Sequence, residues 1–423
     1  MIELAIALAV GSITFTALAS LMLFRQASVL NLIERRRALF LASADVENVR
    51  ALAEKPFISI PKNSLTDHEF TLNRSVKNIN PCIQSVTSNV SWNTGAVAKN
   101  LALNISLPNI SYAKGIDGDC GGNLPSNNVL LPEDSVSSLD VLNNLAVAGT
   151  QNADSSELIF YSVSGNSLSF ASKIDMPSNV NAIDLTQKYA YMASDGPENQ
   201  FSVVNASNQD LVESVSLPGV AGSFPNAESI FYFNQKIYIG THRTAGHEFH
   251  IFDVSGEKSF WLGSLELNHN VNAISVREPY AFLATSGNTK NLIVLDISDP
   301  SAIKQIASLA FAGAEDSLSL FLSGDTLYLG RKKSAHAGEP DFIIIDVENP
   351  FQPAIQGSLT LKADVTGIKV FGDYAFLTTS NPTSAITVLN ISDPNKPAIT
   401  SSVKLEKGAT GIDAENGTIF IST

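Results

Sequence analysis

Tyr280-Ala-Phe-Leu-Ala-Thr285 and, a short turn later, Leu292-Ile-Val-Leu-Asp-Ile-Ser-Asp-Pro300 decide how this chain folds, because near copies of both recur towards its C-terminus. The first stretch reappears as Leu145-Ala-Val-Ala-Gly-Thr, Tyr189-Ala-Tyr-Met-Ala-Ser, Lys236-Ile-Tyr-Ile-Gly-Thr, Thr326-Leu-Tyr-Leu-Gly-Arg, Tyr374-Ala-Phe-Leu-Thr-Thr and Thr418-Ile-Phe-Ile-Ser-Thr. Successive copies start 44, 47, 44, 46, 48 and 44 residues apart. A period in the forties, made of short apolar runs parted by Asn, Gly and Asp turns, is that of four-stranded propeller blades. Helical repeats of similar length need apolar residues at threes and fours, which these segments lack.

The second stretch recurs as Asp341-Phe-Ile-Ile-Ile-Asp-Val-Glu-Asn-Pro350 and Ile386-Thr-Val-Leu-Asn-Ile-Ser-Asp-Pro394, with weaker copies at 201–209 and 249–257. Each is a buried strand ending in Asp or Asn. Asp253, Asp296 and Asp346 are therefore expected to hold turns by accepting a backbone N–H two residues on, and not to catalyse. The aromatics at 191, 238, 282, 328, 376 and 420 recur once per repeat and are expected in the core. These strands resemble the LVIVD repeat family over about 135–423. That resemblance implies a propeller and lends no activity.

Seven copies of the first stretch stand against six of the second. The expectation is a seven-bladed β-propeller over 133–423, its last blade completed from upstream near Asn127–Leu131. A six-bladed ring with a C-terminal cap is the alternative.

The N-terminus is of another kind. Leu4 to Phe24 is an uncharged run of 21 residues, long enough to cross a bilayer as a helix. Leu30, Leu32, Ile33, Leu39, Leu41, Val46, Val49 and Leu52 continue an amphipathic helix until Pro56. One long helix is thus expected over 1–55. Glu3 opens the apolar run, where an unpaired carboxylate is costly to bury. Ile2-Glu3-Leu4 and the long helix resemble the start of mature type IV pilins, whose helices bundle into a filament core. The resemblance implies that Glu3 neutralises the amine of Met1 on a neighbouring copy during assembly. The chain differs from that family in carrying the acid at the third position and no proline in the apolar run.

Residues 56–132 are rich in Asn, Ser, Pro and Gly, with strand-like stretches at Ile83–Trp92 and Leu101–Leu107. Their order after a helix is similar to a pilin head. Cys82 and Cys120, the only two cysteines, are expected to pair in an exported chain.

A net charge of −14 argues against nucleic acid, which needs a basic footprint. Phosphate loops, nucleophile elbows and zinc motifs are missing from the sequence. His242, His247 and His250 cluster, but turn residues between them give no common metal focus. No catalytic residue, metal or cofactor is expected. A positive-inside count over Arg35–Arg37 points the body to the cytoplasm. The pilin resemblance and the Asn-x-Ser/Thr sequons at Asn73, Asn89, Asn104, Asn109, Asn205, Asn390 and Asn416 favour export.

The expected function is a structural subunit of an extracellular, type IV pilus-like filament at the cell surface, inserted in the inner membrane before assembly. Its partners are copies of itself through the helix, and a surface or glycan ligand on the propeller. A membrane-anchored receptor or scaffold that does not polymerise is the alternative. If Cys82 and Cys120 pair, intact mass rises by about 2 Da on reduction, two hydrogens being added to the bridge; an unchanged mass rejects the pairing.

Overall fold

The computed structural model describes Ala38, residues 64–67, 70–80, 83–94 and 97–108, and 136–423 apart from 152–155, 165–166, 221–225, 288–289, 337 and 416–417. The chain divides into two compact units, Met1–Gly121 and Gly122–Thr423. The helix expected over 1–55 lies outside the described residues except at Ala38, as do Met1, Glu3, Cys82, Cys120 and the segment Asn127–Leu131. Among the described residues no helix is long and apolar enough to cross a membrane.

In the first unit β1 (Ser64–Asp67), β2 (Phe70–Asn80), β3 (Ile83–Thr94) and β4 (Val97–Pro108) form an antiparallel sheet in chain order. β3 and β4 extend over the two strand-like stretches read from the sequence. Phe70 and Leu72 of β2 and Val90 and Trp92 of β3 bury one face, and the helical residue Ala38 packs there. Period-two alternation puts these four side chains on the same side.

The second unit holds, among the described residues, six four-stranded antiparallel sheets and one of two strands. The first is β5 (Val136–Leu142), β6 (Leu145–Thr150), β7 (Leu158–Ser164) and β8 (Ser167–Ile174). The second is β9 (Val180–Leu185), β10 (Tyr189–Ser194), β11 (Phe201–Asn205) and β12 (Leu211–Val215). The third is β13 (Ala227–Phe233), β14 (Lys236–Thr241), β15 (Phe249–Asp253) and β16 (Phe260–Leu265). The fourth is β17 (Val271–Arg277), β18 (Tyr280–Thr285), β19 (Leu292–Asp296) and β20 (Lys304–Leu309). The fifth is β21 (Ser317–Ser323), β22 (Thr326–Arg331), β23 (Phe342–Asp346) and β24 (Ala354–Leu359). The sixth is β25 (Val365–Phe371), β26 (Tyr374–Thr379), β27 (Ile386–Asn390) and β28 (Ala398–Val403). β29 (Gly411–Glu415) and β30 (Thr418–Ser422) complete the series.

Burial explains the repeat. Second and third strands are buried along nearly their whole length, whereas fourth strands are largely exposed. A strand covered on both faces needs a continuous apolar run instead of alternation. Every large core cluster is shared by two successive sheets: Tyr238, Phe249 and Ile251 pack with Val271, Ile274 and Leu283. The last sheet closes on the first, since Phe420 packs with Ala146, Ala148 and Tyr161. This is the arrangement of a β-propeller.

Turn chemistry recurs as well. Asn205, Asp253, Asp296, Asp346 and Asn390 each accept the N–H two residues on, at 2.8–3.0 Å. That is the role expected of Asp253, Asp296 and Asp346. A second repeated bond was not foreseen. In five of the six four-stranded sheets the residue just before the third strand is buried and polar, and reaches the N–H two residues beyond the fourth strand. The bonds are Met176 N to Glu157 (2.7 Å), Leu217 N to Gln200 (2.9 Å), Leu267 N to Glu248 (2.6 Å), Phe311 N to Asn291 (2.9 Å) and Leu361 N to Asp341 (2.9 Å). In the sixth sheet Ala385 cannot accept, and Leu405 N bonds to the carbonyl of Pro382 at 2.9 Å instead.

Sheets meet closely at the fifth position of the second strand. A Cβ at Gly240 would collide with Val271 of the next sheet, and one at Gly330 with Val365. Overpacking of this kind costs roughly 1–3 kcal/mol. Gly240→Val should therefore lower the urea midpoint at unchanged m-value, and an unaltered midpoint would contradict the close approach.

Candidate functional site

The innermost strands β5, β9, β13, β17, β21, β25 and β29 end their sheets, so among the described residues one edge of each has no strand beside it. Side chains bridge these edges. Seven hydrogen bonds form a closed circle, each from a hydroxyl or amide to a main-chain carbonyl at or near the start of the next innermost strand. Ser137 bonds to Val180 O, Asn181 to Ala227 O at 2.9 Å, Ser229 to Val271 O at 2.8 Å and Asn272 to Ser317 O at 2.7 Å. Ser319 bonds to Val365 O at 2.9 Å, Thr366 to Ala409 O at 2.7 Å and Thr410 to Val136 O at 2.6 Å. Where the usual position holds Glu228 or Leu318, neither of which donates, the neighbouring Ser229 or Ser319 makes the bond.

One equivalent position further along these strands is far less uniform. Pairing with the second strands aligns Asp140, Asp184, Phe231, Ser275, Phe321, Lys369 and Asp413. The ring therefore carries a charged arc, Lys369–Asp413–Asp140–Asp184, opposite an arc of Phe231, Ser275 and Phe321. Each carboxylate accepts a backbone N–H of the next sheet: Asp140 from Leu185 at 2.6 Å, Asp184 from Tyr232 at 2.7 Å and Asp413 from Val141 at 2.7 Å. Lys369 Nζ lies 2.5 Å from Asp413 Oδ1.

The protein around these acids strips their solvation. Burial, then the negative charges of Asp184 and Asp413, hold Asp140 well above the ordinary carboxylate range. Burial pushes Asp184 up to about 7, against the opposing pull of Tyr232 N–H and Lys369. The innermost strands carry no histidine and no cysteine, and Phe231 stands between Asp184 and Ser275 on the ring. The arc can bind protons and link sheets; it offers no activated nucleophile.

The three clustered histidines go separate ways. His242 Nε2 lies 2.9 Å from Glu228, which raises its pKa. His247 Nδ1 bonds to Ser264 at 2.6 Å. His250 is fully buried, with Nε2 3.1 Å from His247 O and, among the described residues, no partner for Nδ1. Burial depresses its pKa to about 4.

A donor set that sequence reading missed lies around the loop after β22. Glu315, His336 and Glu339 bring one ligand atom each to within 4.8 Å of one another. The guanidinium of Arg331, a fully buried side chain, sits 3.6 Å from Glu315 Oε2 and donates to the carbonyls of Ala312 (2.9 Å) and Pro340 (3.1 Å). A cation of the chain thus already faces the carboxylate. Arg331 takes the last position of its second strand, where the other copies end in Thr or Ser; that departure was the available signal.

Residues 270–309 and 363–404 match the LVIVD repeat family. Each match spans one four-stranded sheet, β17–β20 and β25–β28, so one repeat is one sheet. A comparison with curated proteins finds no match. Among solved structures, a chain of the crystal structure of the mitotic checkpoint complex is similar at 11% identity, over 70% of this chain and 90% of that one, with a TM-score of 0.49. A likeness that faint carries no argument.

Burial in the folded chain disfavours the protonated form of His250. Between pH about 6.5 and about 4 the unfolded chain takes up a proton that the folded chain refuses, so this residue's contribution falls as pH falls through that window. Asp184 acts in the opposite sense from pH about 4 to 7, being protonated when folded and ionised when unfolded. His250→Phe should lose acid-sensitivity relative to the parent chain when urea midpoints are compared at pH 6.5 and 4.5. Equal pH dependence in both would show that His250 does not titrate this way.

Proposed function

We propose that this chain is a structural subunit of a type IV pilus-like filament, with the segment 1–55 as a helix in the filament core and the LVIVD sheets displayed outside as a binding body. The observation that carries this reading is the packing in the first unit. A helical residue, Ala38, is fully buried on the apolar face of an antiparallel sheet, against Phe70, Leu72, Val90 and Trp92. A helix continuing the uncharged run Leu4–Phe24 and then seating one face on a sheet is what a pilin-like head requires. Glu3 is assigned the neutralising role towards the amine of Met1 on a neighbouring copy. The propeller is read as seven blades, on the support of a hydrogen-bond circle that passes through seven innermost strands before returning to β5.

Binding is the work given to the outer body, towards a surface or a glycan, and no reaction is assigned to it. Cells expressing the chain should yield, on shearing, filaments with a helical core and propeller-sized knobs visible by cryo-electron microscopy. Glu3→Ala should abolish or slow assembly while leaving the urea unfolding of the second unit unchanged. Normal filaments from that variant would remove the role of Glu3. Recovery of the parent chain only as unassembled membrane material would favour an anchored receptor instead.

A further inference from the structure

The connection from β22 to β23 runs over ten residues, 332–341, where the other five four-stranded sheets use six or seven between second and third strands. Its extra length brings His336 and Glu339 beside Glu315, which stands in the connection from β20 to β21. The loop is pinned from within. Ser334 Oγ donates to Glu339 Oε2 and accepts the His336 N–H at 3.0 Å. Glu315 Oε2 and Glu339 Oε2 converge over Gly313 (φ +86°), where a Cβ would collide with both oxygens. Two carboxylates therefore share a space that a side chain at position 313 would fill.

One oxygen in that space is left over. Glu315 Oε2 is buried and, among the described residues, accepts no hydrogen bond. Arg331 does not supply one: its Nη2 stands 3.6 Å from Oε2, too far for a hydrogen bond. That guanidinium is spent on the carbonyls of Ala312, Glu315 and Pro340. Nearby charges are committed as well. Asp341 takes the N–H groups of Leu361, Lys362 and Ser334, and Lys332 pairs with Asp316 at 2.8 Å. A buried acceptor without a donor is costly, and a second carboxylate beside it adds repulsion. A divalent cation between them removes both costs.

We propose that Glu315, His336 and Glu339 bind a divalent transition-metal ion of the zinc type, which clips the 332–341 loop to the connection entering the fifth sheet. The donor set chooses the ion, since an imidazole nitrogen suits zinc and its neighbours better than magnesium or calcium. Three protein ligands leave a fourth position open to water or to an oxygen of a bound molecule. Tetrahedral bonds of about 2.0–2.2 Å put ligand atoms roughly 3.3–3.6 Å apart. The three atoms here lie within 4.8 Å of one another, and His336 is exposed, so its side chain has room to close the difference. Arg331 then stands behind Glu315 as an outer positive charge.

The test uses the full chain, stripped with EDTA and titrated with Zn²⁺ by calorimetry and with Co²⁺ by visible absorbance. His336→Ala, at an exposed position, should weaken Zn²⁺ binding at least about tenfold, as should the double variant Glu315→Gln with Glu339→Gln. His242→Ala should bind as the parent does. At free Zn²⁺ about 100 times Kd, an ion bound only to the closed loop slows its opening-limited exchange up to about 100-fold. Amides of 332–341 should show that slowing in the parent and not in His336→Ala, while those of β9–β12 stay unchanged in both. A parent chain that binds no Zn²⁺ would overturn the site, as would equal affinity in the parent and His336→Ala. Tighter binding of Ca²⁺ than of Zn²⁺ would overturn it too.

Discussion

Everything in the second unit depends on what happens at the inner edge of seven strands. A strand that ends a sheet presents unpaired N–H and C=O groups, and leaving them buried without partners is costly. Here the edges of neighbouring sheets approach one another without pairing into a continuous ladder. Short side chains take the carbonyls in a circle of seven bonds, and carboxylates take several of the N–H groups. The circle needs a donor per sheet but not a particular residue, which is why Ser, Asn and Thr alternate there.

The outer parts of each sheet are held by a different repeated device. Glu157, Gln200, Glu248, Asn291 and Asp341 bury a polar group to collect one N–H of the connection that leaves the fourth strand. Since that connection leads to the next innermost strand, the bond sets where the following sheet begins. Positions that repeat in this way carry the architecture. Those that do not, above all the arc from Lys369 through Asp413 and Asp140 to Asp184, are where one side of the ring becomes chemically unlike the other.

Strand identity, strand order and the turn role of Asp253, Asp296 and Asp346 were legible from the chain, because local rules govern them: apolar runs of five or six residues, turn residues, and an Asx side chain reaching two residues on. The aromatic column is legible for the same reason: Tyr191, Tyr238, Phe282, Tyr328 and Phe420 are buried, while Phe376 is only half-buried. The buried polar residue ahead of the third strand in five of the sheets was open to view, yet four residue types fill the position and the sixth sheet substitutes a carbonyl, so no motif marked it. The charged arc was hidden more deeply. Asp140 and Asp413 stand 273 positions apart in the numbering, and no periodicity in the sequence pairs them.

By itself, then, the amino-acid sequence determined the repeat and its length, the sheet as its unit, and a chemically distinct N-terminal run, since each follows from spacing and burial within a few tens of residues. Only the tertiary structure decided how the ring closes on itself, which carboxylates share one solvent-poor level, that the three histidines take separate partners, and that Arg331 faces Glu315. Those outcomes turn on groups brought together by packing between sheets. Charge interactions of that kind depend on distance and solvation in space, which the order of residues does not contain.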